Sequence, residues 1–241
     1  SVAWYALFRD YPENSKHVSP SELAYIRQGA KSSMQGKTDD EIRSHHLDTG
    51  KTTWKFMLLN PSLLANNYAF FSFGYLLFFA INWLPGFMEQ TYHVKLAHVG
   101  QLLMVPWLTA AVMLTAAGFL SDYLWRRTGS VRIARSHLIW VCQLLSGLCF
   151  IPIVLFHSLD IAMVCLSLGI GFGLMPNAAF YALNSDLAGD RAATSLGLMD
   201  CFLAAAGILA PALTGWLVTV SGNFNSAIIL MIGFTLTSVL G

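Results

Sequence analysis

A chain of 241 residues is long enough for one or two water-soluble domains, but its composition excludes that class. Hydrophobic residues make up 55% and charged residues 11%, against a soluble norm of about 45–50% and about 25%. The mean hydropathy of +0.56 calls for lipid around the chain. The net charge is only +1, and the basic residues line loops between apolar runs instead of forming a basic domain, which argues against a nucleic-acid partner.

Residues 1–8 are apolar but too few to cross a bilayer, and they are expected to be the end of a preceding membrane helix. Residues 9–61 form the only long polar stretch and are expected to be a linker on one side of the membrane. Within it, Ser19-Pro20-Ser21-Glu22 is a helix start, with a Ser cap, Pro at the first helical position and Glu at the third. That helix is expected to run to Gln28 and stop at Gly29. Residues 31–51 carry mixed charge and few large apolar side chains. His45-His46 has no further ligands nearby and does not make a metal site. The run from Trp54 to Leu59 reads as an interfacial segment leading into Pro61.

Six apolar spans follow, over residues 62–88, 99–125, 136–156, 159–185, 192–220 and 225–241. All are expected to be helices, because lipid leaves the backbone of such runs no other way to satisfy its hydrogen bonds. The last is short and is expected to be cut off. Pro85, Pro106, Pro152, Pro176 and Pro211 each lie inside a span, where proline frees a carbonyl and bends a helix. Every Lys and Arg except Lys95 falls in residues 9–61, in the loop after the second span or in the loop after the fourth. By that asymmetry loops 9–61, 124–135 and 186–191 are cytoplasmic. The basic hinge from Gly118 to Arg135 is the most distinctive stretch: Asp122 and Arg126 share a helical face, and Arg127, Arg132 and Arg135 follow with no further acid.

Polar residues inside the spans are costly and need a reason. Tyr68, Ser72, Tyr75 and Asn82 share one face of the first span; Gly173, Asn177, Tyr181 and Asn184 share one face of the fourth. Two readings stand: walls of a water-filled cavity, or hydrogen-bonding and close-packing glue between helices. Asp200, near the start of the fifth span, shares a face with the small residues Ala204, Gly207, Pro211 and Gly215. It is either a carboxylate that titrates or orients a solute, or an acid held near the interface by the helix dipole. Cys142, Cys149, Cys165 and Cys201 match no zinc or redox spacing and read as small core residues. No nucleophile elbow, HExxH or phosphate loop is present, so an enzyme is not expected, and no cofactor beyond a coupling proton.

Gly118-x-Leu120-Ser121-Asp122-x-x-x-Arg126-Arg127, with Gly129, resembles the cytoplasmic loop signature of the major facilitator superfamily in its second-half copy. Trp83-Leu84-Pro85-Gly86-Phe87-Met88, the leader Phe8-Arg9-Asp10-x-Pro12-Glu13 through Val18-Ser19-Pro20-x-Glu22-Leu23, and Gly207-x-x-x-Pro211-x-x-x-Gly215-Trp216 are similar to its anion:cation symporter branch. The resemblance covers nearly the whole chain. It implies an all-α membrane fold in which 62–241 is the carboxyl-terminal six-helix bundle of a twelve-helix carrier, with an amino-terminal half as partner and a bacterial inner membrane as location. It implies proton-coupled import of a small organic anion, such as a sugar acid, by alternating access. Tyr68, Tyr75, Asn177, Phe180, Tyr181 and Asp200 are then expected to bind the solute, and Gly118, Asp122, Arg126 and Arg127 to form a conformational gate. Asp200 stands where the branch is expected to have Asn. A carboxylate repels an anion unless it meets a hydroxyl or holds a proton, so a proton-coupled drug or cation exporter of the same fold is the alternative.

Overall fold

The computed structural model describes residues 18–24, 56–130 and 132–240. The expected apolar stretch at 1–8, His45-His46, the mixed-charge run and most of the linker lie outside these. The chain divides into two units, residues 1–52 and 53–241. In the first, residues 20–24 form the expected helical turn. The backbone N–H of Glu22 donates to Ser19 Oγ at 3.2 Å, and Leu23 N–H donates to the Ser19 carbonyl at 2.9 Å, which is the cap the sequence predicts.

The second unit is a bundle of apolar helices: α1 (Pro61–Tyr92), α2 (Leu96–Thr128), α3 (His137–Leu155), α4 (Leu159–Leu174), α5 (Asn177–Ala188), α6 (Ala192–Ser221) and α7 (Asn225–Thr237). A π-helical turn, Arg132–Ser136, leads into α3, and a short 3-10 turn, Ser238–Leu240, follows α7. Five runs are long and apolar enough to cross a membrane: α1, α2, Arg132–Leu155, Leu159–Ala188 and α6; the run from Asn225 to Leu240 is shorter. Among the described residues there is no strand. The spans read from the sequence are therefore present in number and order, each within a few residues of its expected ends.

Helix ends follow local chemistry. Asn60 caps α1, its Oδ1 accepting from Ser62 N–H at 3.0 Å and Leu63 N–H at 3.3 Å, with Pro61 at the first helical position. Gly129 ends α2 in the left-handed conformation (φ 62°), where a side chain would be strained. The fourth span differs from the single helix expected. It breaks between α4 and α5, because Pro176 has no N–H to donate to the Phe172 carbonyl. Pro85, Pro106, Pro152 and Pro211 sit inside continuous helices.

Helix α1 is the most enclosed span and the axis of the bundle. The larger apolar core gathers Tyr75, Phe79, Leu84 and Phe87 of α1 with Leu103, Phe150, Ile170, Ala206 and Phe224. A second core lies around Phe70, Phe73, Leu138, Phe180 and Met199. Small residues set the helix spacings: a Cβ on Gly74 would meet Leu203 at 2.6 Å, and one on Gly207 would meet the Phe78 ring at 3.0 Å. The starts of α1, α3 and α6 and the ends of α2 and α5 gather at one end, tied by Arg135–Asp186, Ser121–Ala134 and the Arg191 guanidinium 5.3 Å from the Phe56 ring. That end carries Arg126, Arg127, Arg132, Arg135 and Arg191; Lys95 lies at the other.

Gly169→Ala tests this packing. Its Cβ would lie 2.7–3.1 Å from three atoms of the Phe150 ring, which is itself buried and cannot retreat. Overpacking of this kind costs about 1–3 kcal/mol, so the variant's Tm in detergent should fall. Gly118→Ala meets nothing within 4 Å in this bundle and should not lower the Tm, since alanine is the better helix former.

Candidate functional site

The structure sorts the six expected solute-binding residues into two groups. Tyr75 and Phe180 are withdrawn into the bundle, each with no exposed surface. Phe180 sits in an aromatic box, its ring 5.3 Å from Phe70 and 5.7 Å from Phe73. Tyr75 packs beside Phe234 at 5.0 Å. Neither side chain reaches a surface where a solute could touch it, because the α1 face expected to wall a cavity turns inward on helix α7. Ser72 of the same stripe is buried too, and Asn82 is exposed with its amide returned to the Phe78 carbonyl at 2.8 Å. Tyr68 is half-buried, and its hydroxyl is engaged with Thr237 Oγ1 at 2.7 Å. Of the four stripe residues on α1, Tyr68 bridges to α7 by a hydrogen bond, while Ser72 and Tyr75 are close-packed.

The second group comes together. Tyr181 on α5 donates its phenol O–H to Asp200 Oδ1 on α6 at 3.2 Å. Asp200 is exposed and Tyr181 half-exposed. Asn177, also half-exposed, lies one helical turn before Tyr181 on the same face. The Tyr181 ring is held edge-on by Phe70 at 5.4 Å, so the core fixes the phenol while its hydroxyl reaches the surface. Asn177, Tyr181 and Asp200 thus offer an amide, a hydroxyl and a carboxylate on one accessible face. Such a set can accept and donate hydrogen bonds to a polyhydroxylated or charged solute. Among the described residues no group of three or more His, Cys, Asp or Glu is placed to hold a metal.

The expected gate residues lie at the carboxyl-terminal end of α2. Asp122, Arg126 and Arg127 are exposed on the last turns of α2, with Gly118 half-buried. Asp122 and Arg126 share a face as expected but form no ion pair with each other, and Arg127 donates to the Tyr123 hydroxyl at 3.0 Å. Sequence reasoning missed the pairing of Arg135, which joins the Asp186 carboxylate and also donates to the Ala182 carbonyl at 2.8 Å. This clamps the π-helical turn before α3 onto the last two turns of α5. Nothing in the spacing pointed to it; the only signal was that both residues flank spans on the basic side.

Among the described residues the chain is a helical bundle with membrane-length apolar spans, a polar patch on α5 and α6 and a basic loop after α2, the layout of a multi-pass membrane protein. The chain matches the Major Facilitator Superfamily over residues 1–211 and belongs to that family. It is similar to the hexuronate transporter of Bacillus subtilis, 25% identical over 233 residues, covering 95% of this chain and 50% of that protein. A probable sulfoacetate transporter of Cupriavidus necator is 27% identical over 235 residues, with 93% and 50% covered. Probable anion transporter 5 of Arabidopsis thaliana is 30% identical over 181 residues, with 74% and 41% covered. The chain spans about half the length of the first of these relatives.

The Arg135 clamp gives a thermodynamic prediction. Both partners are partly exposed, 22% and 37%, so Asp186→Asn should cost no more than about 1 kcal/mol. Arg135→Ala should cost more, since the Ala182 contact goes as well. In a double-mutant cycle read by thermal unfolding, the two effects should be less than additive; strict additivity would show the pair is not coupled.

Proposed function

We propose that this bundle is one half of a secondary transporter that carries a small organic anion, a sugar acid or a related carboxylate, inward with protons by alternating access. The observation that carries the reading is the Asn177–Tyr181–Asp200 patch on the accessible face of a major facilitator bundle. The relatives, a hexuronate transporter and probable anion transporters, support the solute class. A second six-helix bundle would close the other side of the solute site, with residues 9–61 as the linker and Asp122, Arg126 and Arg127 as the gate between the halves. The location that fits is a bacterial inner membrane, with loops 9–61, 124–135 and 186–191 cytoplasmic.

Asp200 shapes the solute as much as it admits it. A carboxylate 3.2 Å from the Tyr181 hydroxyl is a hydrogen-bond acceptor, suited to the hydroxyl-bearing end of a sugar acid and unsuited to its carboxylate. The solute's anionic end would then point away from α6, toward the second bundle. The same carboxylate favours the alternative, proton-coupled export of a cationic compound, and that reading stays second because the anion transporters among the relatives weigh against it.

Two measurements on the full-length protein in proteoliposomes decide between them. With an inward proton gradient, labelled hexuronate should accumulate, and a protonophore should abolish the accumulation. Gradient-driven loss of a preloaded lipophilic cation, with no hexuronate uptake, would favour the exporter. Asp200→Asn should lower hexuronate uptake about fivefold, the loss expected when a charge-assisted hydrogen bond of roughly 2 kcal/mol becomes a neutral one of roughly 1 kcal/mol. It should also alter the dependence of uptake on pH. An unchanged rate and pH profile would reduce Asp200 to a packing role.

A further inference from the structure

Where α1, α5 and α6 cross near the basic end, three asparagines and a serine are buried together in an otherwise apolar core. Asn66 is 4% exposed, Asn67 and Asn184 are fully buried, and Ser195 is 1% exposed. Asn66 and Asn184 approach the thioether of Met199, itself fully buried, and Asn67 joins them through Asn184. The Asn66 amide N–H donates to the Phe180 carbonyl at 3.4 Å and lies 3.4 Å from Met199 Sδ. The Asn184 amide N–H donates to Asn67 Oδ1 at 3.4 Å and lies 3.5 Å from the same sulfur. Ser195 stands one turn before Met199 on α6. The two N–H···O contacts exceed the usual 2.7–3.2 Å range, so these amides are gathered without being drawn tight. Four polar atoms in the cluster have no protein partner: Asn66 Oδ1, Asn184 Oδ1, Asn67 Nδ2 and Ser195 Oγ.

We infer that this cluster is an internal water site joining α1, α5 and α6. The inventory of unpartnered atoms selects the ligand. Two are amide oxygens, one is an amide N–H group and one is a hydroxyl. A water molecule donates twice and accepts twice, so it can donate to Asn66 Oδ1 and Asn184 Oδ1 and accept from Asn67 Nδ2 and Ser195 Oγ. A sodium ion would suit the oxygens but would face the amide hydrogens of Asn67, and no carboxylate is in the cluster to offset its charge. The orientation of the amides does not change this result. If Asn67 and Asn184 are both reversed they still bond each other, and the pair still presents one free oxygen and one free N–H group. Asn66 is fixed by the Phe180 carbonyl. The site sits one turn beyond Tyr181 on α5, so its water would hold the part of α5 that presents the candidate solute patch. The inference rests on the buried cluster and not on the solute assignment.

X-ray radiolysis of the full-length protein in lipid nanodiscs tests it. Radiation converts a bound water into a hydroxyl radical in place, and a neighbouring methionine is oxidised to the sulfoxide. Met199 should be oxidised severalfold faster than Met88 and Met231, which are equally buried but lie in the apolar core. Ser195→Ala removes one partner with little change of volume, and the Met199 rate should fall toward that of Met88. Asn67→Leu with Asn184→Leu should abolish the difference where the protein still folds by thermal unfolding; where it does not, Ser195→Ala alone decides. Protection of Met199 equal to that of Met88 in the unaltered protein would overturn the site, as a cation or a dry cluster requires. A fast Met199 rate unchanged by Ser195→Ala would also overturn it, since bulk water admitted by helix opening would not depend on that hydroxyl.

Discussion

Lipid offers the backbone and the side chains no hydrogen bonds, and the pairing of many polar groups in this bundle follows from that. Two solutions recur. Hydroxyls on outer or interhelical faces turn back to their own helix: Thr109 to the Val105 carbonyl at 2.9 Å, Thr115 to Ala111 at 2.9 Å, Ser167 to Met163 at 2.7 Å and Thr219 to Gly215 at 2.8 Å. Longer polar side chains cross to a neighbouring helix where a carbonyl is exposed. Gln143 of α3 donates to the Ala69 carbonyl of α1 at 3.2 Å, and Ser146 donates to the Gly169 carbonyl of α4 at 2.8 Å. These crossings pin α1 and α4 to α3 at defined heights, which apolar contact against lipid tails cannot do, since a leucine is as well solvated by a tail as by another leucine.

The aromatic core near the basic end turns that pinning into a presented surface. Phe70 and Phe73 of α1 stack at 5.3 Å, and Phe180 of α5 meets both edge-on. Phe180 therefore anchors α5 from within, while its neighbour Tyr181 is turned outward and steadied by the same Phe70 ring. The break at Pro176 makes α5 a separate twelve-residue unit. It is anchored by Phe180 inside, by Asn184 near Met199, and by Asp186 on Arg135 at its end. A short helix held at several points by side chains, and joined to α4 through a proline, can keep its register against α6 whether or not α4 moves with it.

Much of this was legible in the sequence and some was not, for separable reasons. Span number, order and the clustering of basic loops at one end could be read because hydropathy and Lys/Arg placement are properties of single segments. The Ser19 cap was readable for the same reason, since all its atoms come from four consecutive residues. The Asn60 cap of α1 is equally local but was overlooked behind the stronger signal of Pro61. Which way a polar stripe faces is not local. The stripes on α1 and on the fourth span have the same appearance in the sequence, yet Tyr75 is buried against Phe234 while Tyr181 reaches Asp200. That difference depends on which neighbour lies beside each helix, and helical periodicity carries no information about it. The Arg135–Asp186 pair is hidden for the same reason, 51 residues apart with no repeating interval to betray it.

The position of Asp200 along α6 bears on the two physical accounts of that carboxylate. Helix α6 begins at Ala192, so Asp200 lies more than two turns in, about 12 Å along the axis at 1.5 Å per residue. The favourable field of a helix N-terminus fades within its first turn, so the dipole does not hold this acid in place. A 30-residue helix is roughly 45 Å long, about 15 Å more than a hydrocarbon layer, so when centred in the layer it carries Asp200 about 5 Å inside the edge. A carboxylate facing tails costs about 2.5–3.5 kcal/mol at the layer's centre and less near its edge. Both depths favour water or protein over tails beside the exposed face of α6 at Asp200. The small residues Ala204 and Gly207 on the same face leave room for either beside it.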